Sequence, residues 1–289
     1  MKTPITYYGG KQMLLKYILP LIPQHRVYCE PFFGGGAVLF AKPKSEVEII
    51  NDKNGEVINF FKVVKAKFPQ LQKEIQGTLH SRELYKNAMV VYEHPELFDD
   101  IKRAWALWVV TNQGFASMIG AWGFGITPEK ENSLFNKRNM FVTDYADRLA
   151  KVQIEHNDAI KVIDRADSKD SFMYVDPPYI GSNMGHYKGY SEEDYKQHLD
   201  KLGKLKGKFL LSSYPSPILS SYIKKYKWKV HKVVKAIAVT KNTDKKKIEM
   251  LVMNYEPSKA KFIPPVSSKT KAISVSKLSN QLQKLKFAA

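Results

Sequence analysis

The stretch Val27-Tyr28-Cys29-Glu30-Pro31-Phe32-Phe33-Gly34-Gly35-Gly36 decides the fold. Its first four residues read as a short strand. Pro31 removes a ladder donor and ends it, three glycines supply a turn, and the apolar run Ala37–Ala41 resumes as a helix. Residues 46–50 then read as a second strand ending at Asn51-Asp52, after which Val57, Ile58, Phe61 and Val64 recur at helical spacing. Such alternation argues for an α/β domain with a mostly parallel sheet, whose ligands lie at the carboxyl ends of the strands. Positions 30–36 and 52 are therefore the first candidates for a site.

From about residue 62 to 150 the pattern changes to helical segments rich in Lys, Glu, Trp and Tyr, interrupted by the glycine-rich stretch 114–125, which predicts an inserted, mainly helical module. The α/β pattern then resumes. Val152–Glu155 reads as a strand, Ser171–Val175 as a buried one ending at Asp176-Pro177-Pro178-Tyr179, and 208–212 and 250–254 as two more. Between 224 and 247 stand ten lysines and one acid, with Tyr226 and Trp228 interleaved, predicting a basic, aromatic-bearing loop or edge. The last 33 residues hold seven lysines and no acid. They open with Pro- and Ser-rich sequence and close with Val275, Leu278, Leu282 and Leu285 at helical spacing, as in a flexible linker followed by a short amphipathic helix. The expected division is a discontinuous α/β domain (1–61 and 151–256), a helical module (62–150) and a basic tail (257–289).

Across 289 residues, 44% hydrophobic and 26% charged composition is enough for a sizeable core and argues against bulk disorder. The 46 Lys and Arg against 28 Asp and Glu give a formal charge of +18, which draws the chain to a polyanion, nucleic acid first. The lone cysteine, Cys29, excludes an intramolecular disulfide and a cysteine zinc cluster, and fits a reducing cytoplasm. No apolar signal core follows Met1, and no later apolar run approaches the ~20 residues of a membrane span, so neither export nor insertion is expected. Seven histidines without HxxxH or HExxH spacing predict metal-free chemistry.

A glycine turn between strand and helix lets a ligand approach the backbone, and an acid closing the second strand accepts hydrogen bonds from ribose hydroxyls. Gly34 and Asp52 lie 18 residues apart, close to the ~20 of nucleoside-binding βαβ units. The turn lacks GxGxxG, so alone it reads equally well as structural. At Asp176-Pro177-Pro178-Tyr179, two prolines fix φ and remove two N–H donors, leaving a rigid turn with outward carbonyls. The Asp176 carboxylate, the Pro177 carbonyl and the aromatic face of Tyr179 together suit an amino group on a flat ring, as in adenine. Taken alone, the tripeptide reads as a strand-ending turn with an N-capping Asp.

YYGGK (7–11), EPFFGGG (30–36), IINDKN (49–54) and DPPY (176–179), in this order, resemble the Dam-type (D12 class) adenine-N6 DNA methyltransferases, as do NQGFASM (112–118), FNKR (135–138) and EMLVMNY (249–255). The resemblance spans about residues 4–255. It implies a Rossmann-like S-adenosylmethionine-dependent methyltransferase sheet with an inserted, mainly helical target-recognition domain. The implied activity is site-specific methyl transfer from S-adenosylmethionine to N6 of an adenine flipped out of double-stranded DNA. By similarity, Tyr7, Lys11, Phe32 and Gly34 contact the cofactor, Asp52 holds its ribose and Asp158 faces its adenine. Asp176 then lies between cofactor and target, with Pro177 as a second acceptor and Tyr179 as the stacking ring. The Asp in DPPY favours adenine over cytosine N4. Met118 and Arg138 are the DNA-binding candidates in the insert, Arg138 either as a bidentate guanine reader or as a phosphate contact. Where some GATC-reading relatives carry an arginine this chain has Gly120, which argues against a GATC target; His156 stands where some carry an aromatic. Expected partners are double-stranded DNA and, as a candidate, a cognate restriction endonuclease, with no membrane and no metal, in a monomer or weak dimer in the cytoplasm of a prokaryotic or phage-infected cell.

Overall fold

The computed structural model describes residues 1–115, 118–124, 128–179, 190–236 and 246–257. Within these, β1 (Val27–Glu30), β2 (Val47–Asn51), β3 (Val152–Glu155), β4 (Ser171–Val175), β5 (Lys208–Ser213), β6 (Lys229–Ala236) and β7 (Lys246–Met253) form one sheet in the order β3-β2-β1-β4-β5-β7-β6. The first five strands pair in parallel, whereas β7 is antiparallel to both β5 and β6. Strand order runs from β1 outward to β3 and then returns to β4 on the other side of β1. The switch point, where ligands of such sheets bind, is therefore the crevice above the carboxyl ends of β1 and β4.

Period-2 alternation sends neighbouring side chains of the central strands to opposite faces. Tyr28, Phe172 and Tyr174 join one apolar cluster, and Cys29, Met173 and Val175 the other, so β1 and β4 are buried on both faces, as parallel strands require. The second cluster is covered by α9 (Ala159–Ala166), α10 (Glu192–Leu202) and α11 (Pro217–Tyr226), and the first by the helices of the insert. In chain order, after the short α1 (Leu15–Ile18) and α2 (Ala37–Ala41), which add to the same cluster, and before α9, these are α3 (Gly55–Ala66), α4 (Phe68–Gln76), α5 (Arg82–Glu93), α6 (Asp100–Gln113), α7 (Pro128–Asn139) and α8 (Asp144–Leu149). α6 lies at their centre, buried continuously from Ala104 to Gln113.

The expected boundary at residue 62 falls inside α3, because the apolar spacing of Val57, Phe61 and Val64 runs on without a breaker. Leu107, Trp108 and Val110 of α6 then share one core with Phe61, Phe33 and Tyr28, so the helical module extends a sheet face rather than enclosing a core of its own.

The basic segment from 224 takes the edge alternative of its sequence reading. Its described part is the end of α11 and the edge strand β6, and Trp228 is buried, stacked on Tyr226 at 5.3 Å and edge-on to Phe209 at 5.0 Å. Those aromatics serve the core. Residues 237–245 and the tail with its amphipathic-helix reading (258–289) lie outside the described residues. Among those described, no helix is long and apolar enough to cross a membrane, and no group of three or more His, Cys, Asp or Glu side chains could hold a metal ion.

Candidate active site

At the end of β1 the glycine turn is left-handed at Gly34 (φ +50°) and at Gly36 (φ +71°), which caps α2. A Cβ on Gly36 would stand 2.3 Å from the Phe33 ring, and one on Gly34 2.9 Å from the ring of Tyr7, which closes over the turn from the N-terminal segment. Gly36→Ala is therefore predicted to cost at least about 1–2 kcal/mol from handedness alone. Displacement of Phe33, which packs edge-on against Phe61 at 4.7 Å, adds to that. Thermal melting reads the loss, and an unchanged Tm would show that the turn tolerates a side chain.

Asp52, one residue past β2, is buried and bridges the turn to its own strand: Oδ2 accepts from Gly34 N–H at 2.7 Å and Oδ1 from Asn54 N–H at 2.8 Å. Burial raises its carboxyl pKa, and these N–H donors oppose the rise. Its neighbour Asn51 fastens three strand ends together. The amide donates to the carbonyls of Pro31 (3.0 Å) and Asn157 (3.2 Å) and accepts from Asn157 N–H at 2.9 Å. Asp158, next in the chain, caps α9 through Ile160 and Lys161 N–H.

Across the switch point, Asp176 follows β4. Its Oδ2 pairs with Lys11 Nζ at 2.7 Å, and its Oδ1 accepts from the Tyr179 hydroxyl at 3.0 Å. Burial drives the Asp176 carboxyl pKa up, against the pull of Lys11. Lys11 is itself buried, donates to Gly9 O at 2.8 Å and lies 4.9 Å from the centre of the Tyr179 ring. The Tyr179 hydroxyl also meets Ser212 Oγ (3.1 Å) and the buried carboxylate of Glu249, to which Ser212 donates at 2.7 Å. Tyr214 packs edge-on against Tyr179 at 4.4 Å.

Two hollows meet at this point. One, of about 890 Å³, is lined by Tyr7, Lys11, Glu30, the three glycines and Asp176. The other, of about 690 Å³, is lined by Asp52, Asp158, Pro178, Tyr190, Asp194 and His198. Phe32 and Asp176 border both. Glu30 is buried, which pushes its carboxyl up to about 8, and its Oε2 has no hydrogen-bond partner.

Tyr7, Lys11, Phe32, Gly34, Asp52, Asp158 and Asp176 thus line one continuous crevice, with Pro177 and Tyr179 in the adjoining turn. Met118 and Arg138 lie in the insert. Met118 is exposed, while half-buried Arg138 donates from Nη1 to Thr78 O at 2.6 Å. Sequence reasoning missed Asn51, Ser212 and Glu249 as members of the site. The available signal for Glu249 was a lone acid within the otherwise apolar run 248–253.

An open parallel sheet closed by an antiparallel β7, with a glycine turn and an acceptor turn facing across its switch point, defines a Rossmann-like methyltransferase. The family model described as D12 class N6 adenine-specific DNA methyltransferase matches residues 7–237, and the chain belongs to that family. Among its relatives, Type II methyltransferase M.MjaIII of Methanocaldococcus jannaschii is 26% identical, over 88% of this chain and 99% of that protein. Type II methyltransferase M1.LlaDCHI of Lactococcus lactis subsp. cremoris is 27% identical, over 86% and 93%. The DNA adenine methylase of Salmonella typhi is 26% identical, over 87% and 94%. The protein is an enzyme that methylates adenine N6 in DNA.

Proposed function

We propose that the methyl donor is S-adenosylmethionine, lying across the two hollows, and that the substrate is an adenine flipped out of duplex DNA at a specific site. The carrying observation is that Phe32 and Asp176 border both hollows, so a ligand spanning them has its middle beside Asp176. The residues fit such a ligand. The unpartnered Glu30 Oε2 offers an acceptor and the Lys11 ammonium a cation to an amino-acid tail in one hollow, and Asp52 and Asp158 supply acceptors for hydroxyl and amino donors in the other. When bound, this donor supplies an electrophilic sulfonium methyl.

The amino lone pair of adenine is delocalised into its ring, and acceptors on both N–H hydrogens draw it out toward the methyl. Asp176 and the Pro177 carbonyl are those acceptors. Lys11 and Tyr179 each engage one Asp176 oxygen, and each oxygen keeps a second lone pair for the target amino group. Tyr179 offers its ring face to the flipped base, at an unstacking cost of a few kcal/mol recovered in the pocket. Incubation of duplex DNA with methyl-labelled S-adenosylmethionine, followed by digestion to nucleosides, tests the reading. Label is expected in N6-methyladenine, and label in N4-methylcytosine, or none, overturns it.

The helical insert is the proposed reader of the DNA sequence, with Met118 and Arg138 at the interface. Arg138 Nη1 is tied to Thr78 O, and the other N–H donors of the guanidinium are the ones that would reach guanine. Arg138→Ala is then expected to lose ~1–3 kcal/mol against the cognate base at one position. Methylation rates on cognate and singly substituted duplexes decide, since equal losses on all duplexes assign the arginine to phosphate. The type II names of two relatives support a restriction endonuclease of the same specificity as the partner of this enzyme.

A further inference from the structure

His198 stands on α10 at the wall of the hollow that holds Asp52 and Asp158, and the transfer chemistry makes no use of it. The residue is buried, 6% exposed, beside Phe32 (ring centroids 5.1 Å apart) and Tyr190 (5.6 Å). Its hydrogen-bonding state follows from its neighbours. Nδ1 lies 2.6 Å from Asp194 O, and a carbonyl oxygen only accepts, so Nδ1 carries a proton. The position of that carbonyl is held by the capping box at the start of α10, in which Ser191 and Asp194 bond each other's backbone N–H. Burial lowers the ring pKa against the opposing pull of the Asp194 carbonyl and of Asp158 and Asp194, which keeps the imidazole neutral at neutral pH. Nε2 is then a bare lone pair. It is buried, has no hydrogen-bond partner, and points away from the helix backbone because Nδ1 points toward it.

A buried acceptor without a donor is a cost that a ligand N–H or O–H removes. His198 shares the lining of this hollow with Asp158, Asp194 and Asp52. We propose that His198 is a binding residue for the purine of the methyl donor, its Nε2 accepting a hydrogen from the exocyclic amino group and so selecting adenine over a 6-oxo purine. The inference rests on the donor assignment above. An amino group has two hydrogens, and Asp158 and His198 supply two acceptors. A 6-oxo purine turns an oxygen lone pair toward both, so it is rejected by unpaired acceptors rather than by size.

The test is calorimetric binding of S-adenosylhomocysteine and S-inosylhomocysteine, with no turnover needed. The wild type is expected to prefer the adenine compound by at least about tenfold, equivalent to 1.4 kcal/mol. In His198→Leu, affinity for S-adenosylhomocysteine falls by roughly 3- to 10-fold, and the preference shrinks by a similar factor. His198→Gln, whose amide oxygen reaches the position of Nε2, restores most of both. Equal preference in the wild type and the Leu variant, or a Gln variant that behaves like Leu while melting normally, overturns the role of His198. Absence of S-adenosylhomocysteine binding by the wild type overturns the donor assignment and this inference with it.

Discussion

Asp176→Ala is expected to slow methyl transfer by about 10²–10³, the loss typical when one preorganised partner of a developing charge is removed from a dry site. The carboxylate is buried and fixed on both oxygens, by Lys11 at 2.7 Å and the Tyr179 hydroxyl at 3.0 Å, so it is placed before the base arrives. The alanine variant leaves the Pro177 carbonyl as the remaining acceptor, and the second amino hydrogen goes unpaired. The loss belongs in kcat at saturating donor and DNA, because the interaction strengthens as the lone pair is drawn out. DNA affinity should change little, since phosphate contacts supply most of it. Removing Asp176 also strands the Lys11 ammonium, so Asp176→Asn, which keeps the shape, separates lost chemistry from lost packing. Burial raises the Asp176 pKa, and the ionised form is the better acceptor, so activity should fall as pH drops through that raised value, above the ordinary carboxylate range. Wild-type turnover by the Ala variant, at normal DNA affinity, would remove Asp176 from the mechanism.

Much of this arrangement was legible because its parts are local. β1 and β4 are short, largely apolar runs ended by Pro or a polar breaker, β3 alternates apolar and polar residues, and all three form where that pattern puts them. Asp52 and Asp176 stand directly after strands, where a parallel sheet presents its ligand-binding edge. What was not legible depends on partners far apart in the chain. Asn51 ties Pro31 to Asn157, and Glu249 reaches Ser212 and Tyr179, contacts that span 20 to 106 residues. The lysines of β6 obscure its apolar alternation, which left loop and edge both open, and the edge is what forms. Charged residues, lysine especially, are what an unpaired outer strand carries to discourage further pairing. Trp228 shows a further limit: a tryptophan among lysines has the same sequence whether it stacks on a base or on Tyr226.

The cluster Lys42, Glu48 and Arg148 illustrates the same limit and carries the largest stability effect. Arg148, on α8, donates to both oxygens of Glu48, 100 residues earlier on β2, and to Leu39 O at 2.9 Å, so the end of the helical insert is clamped to the sheet. Lys42 Nζ reaches Glu48 Oε1 at 2.6 Å, and all three side chains are buried. Glu48→Gln leaves two cations facing a neutral amide. Lys42, whose pKa burial already lowers, can shed its proton, so Arg148 retains the uncompensated charge. Breaking a buried pair from one side costs about 3–5 kcal/mol, which for a chain of this size lowers Tm by roughly 10 °C. Replacing all three by apolar side chains should recover much of the loss, because desolvation of the ions then disappears as well. The pH dependence has a definite sign. Burial alone would raise the Glu48 carboxyl, but Arg148 and Lys42 outweigh it and hold the pKa below the ordinary range. A depressed carboxyl contributes its stability above the unfolded pKa of about 4.3 and loses it as pH falls through the folded value. The gap between wild type and Glu48→Gln should therefore be full at neutral pH and close in acid below about pH 4. Melting curves from pH 3 to pH 8 read this directly, and a gap that is absent at pH 7, or that persists unchanged at pH 3, contradicts the clamp.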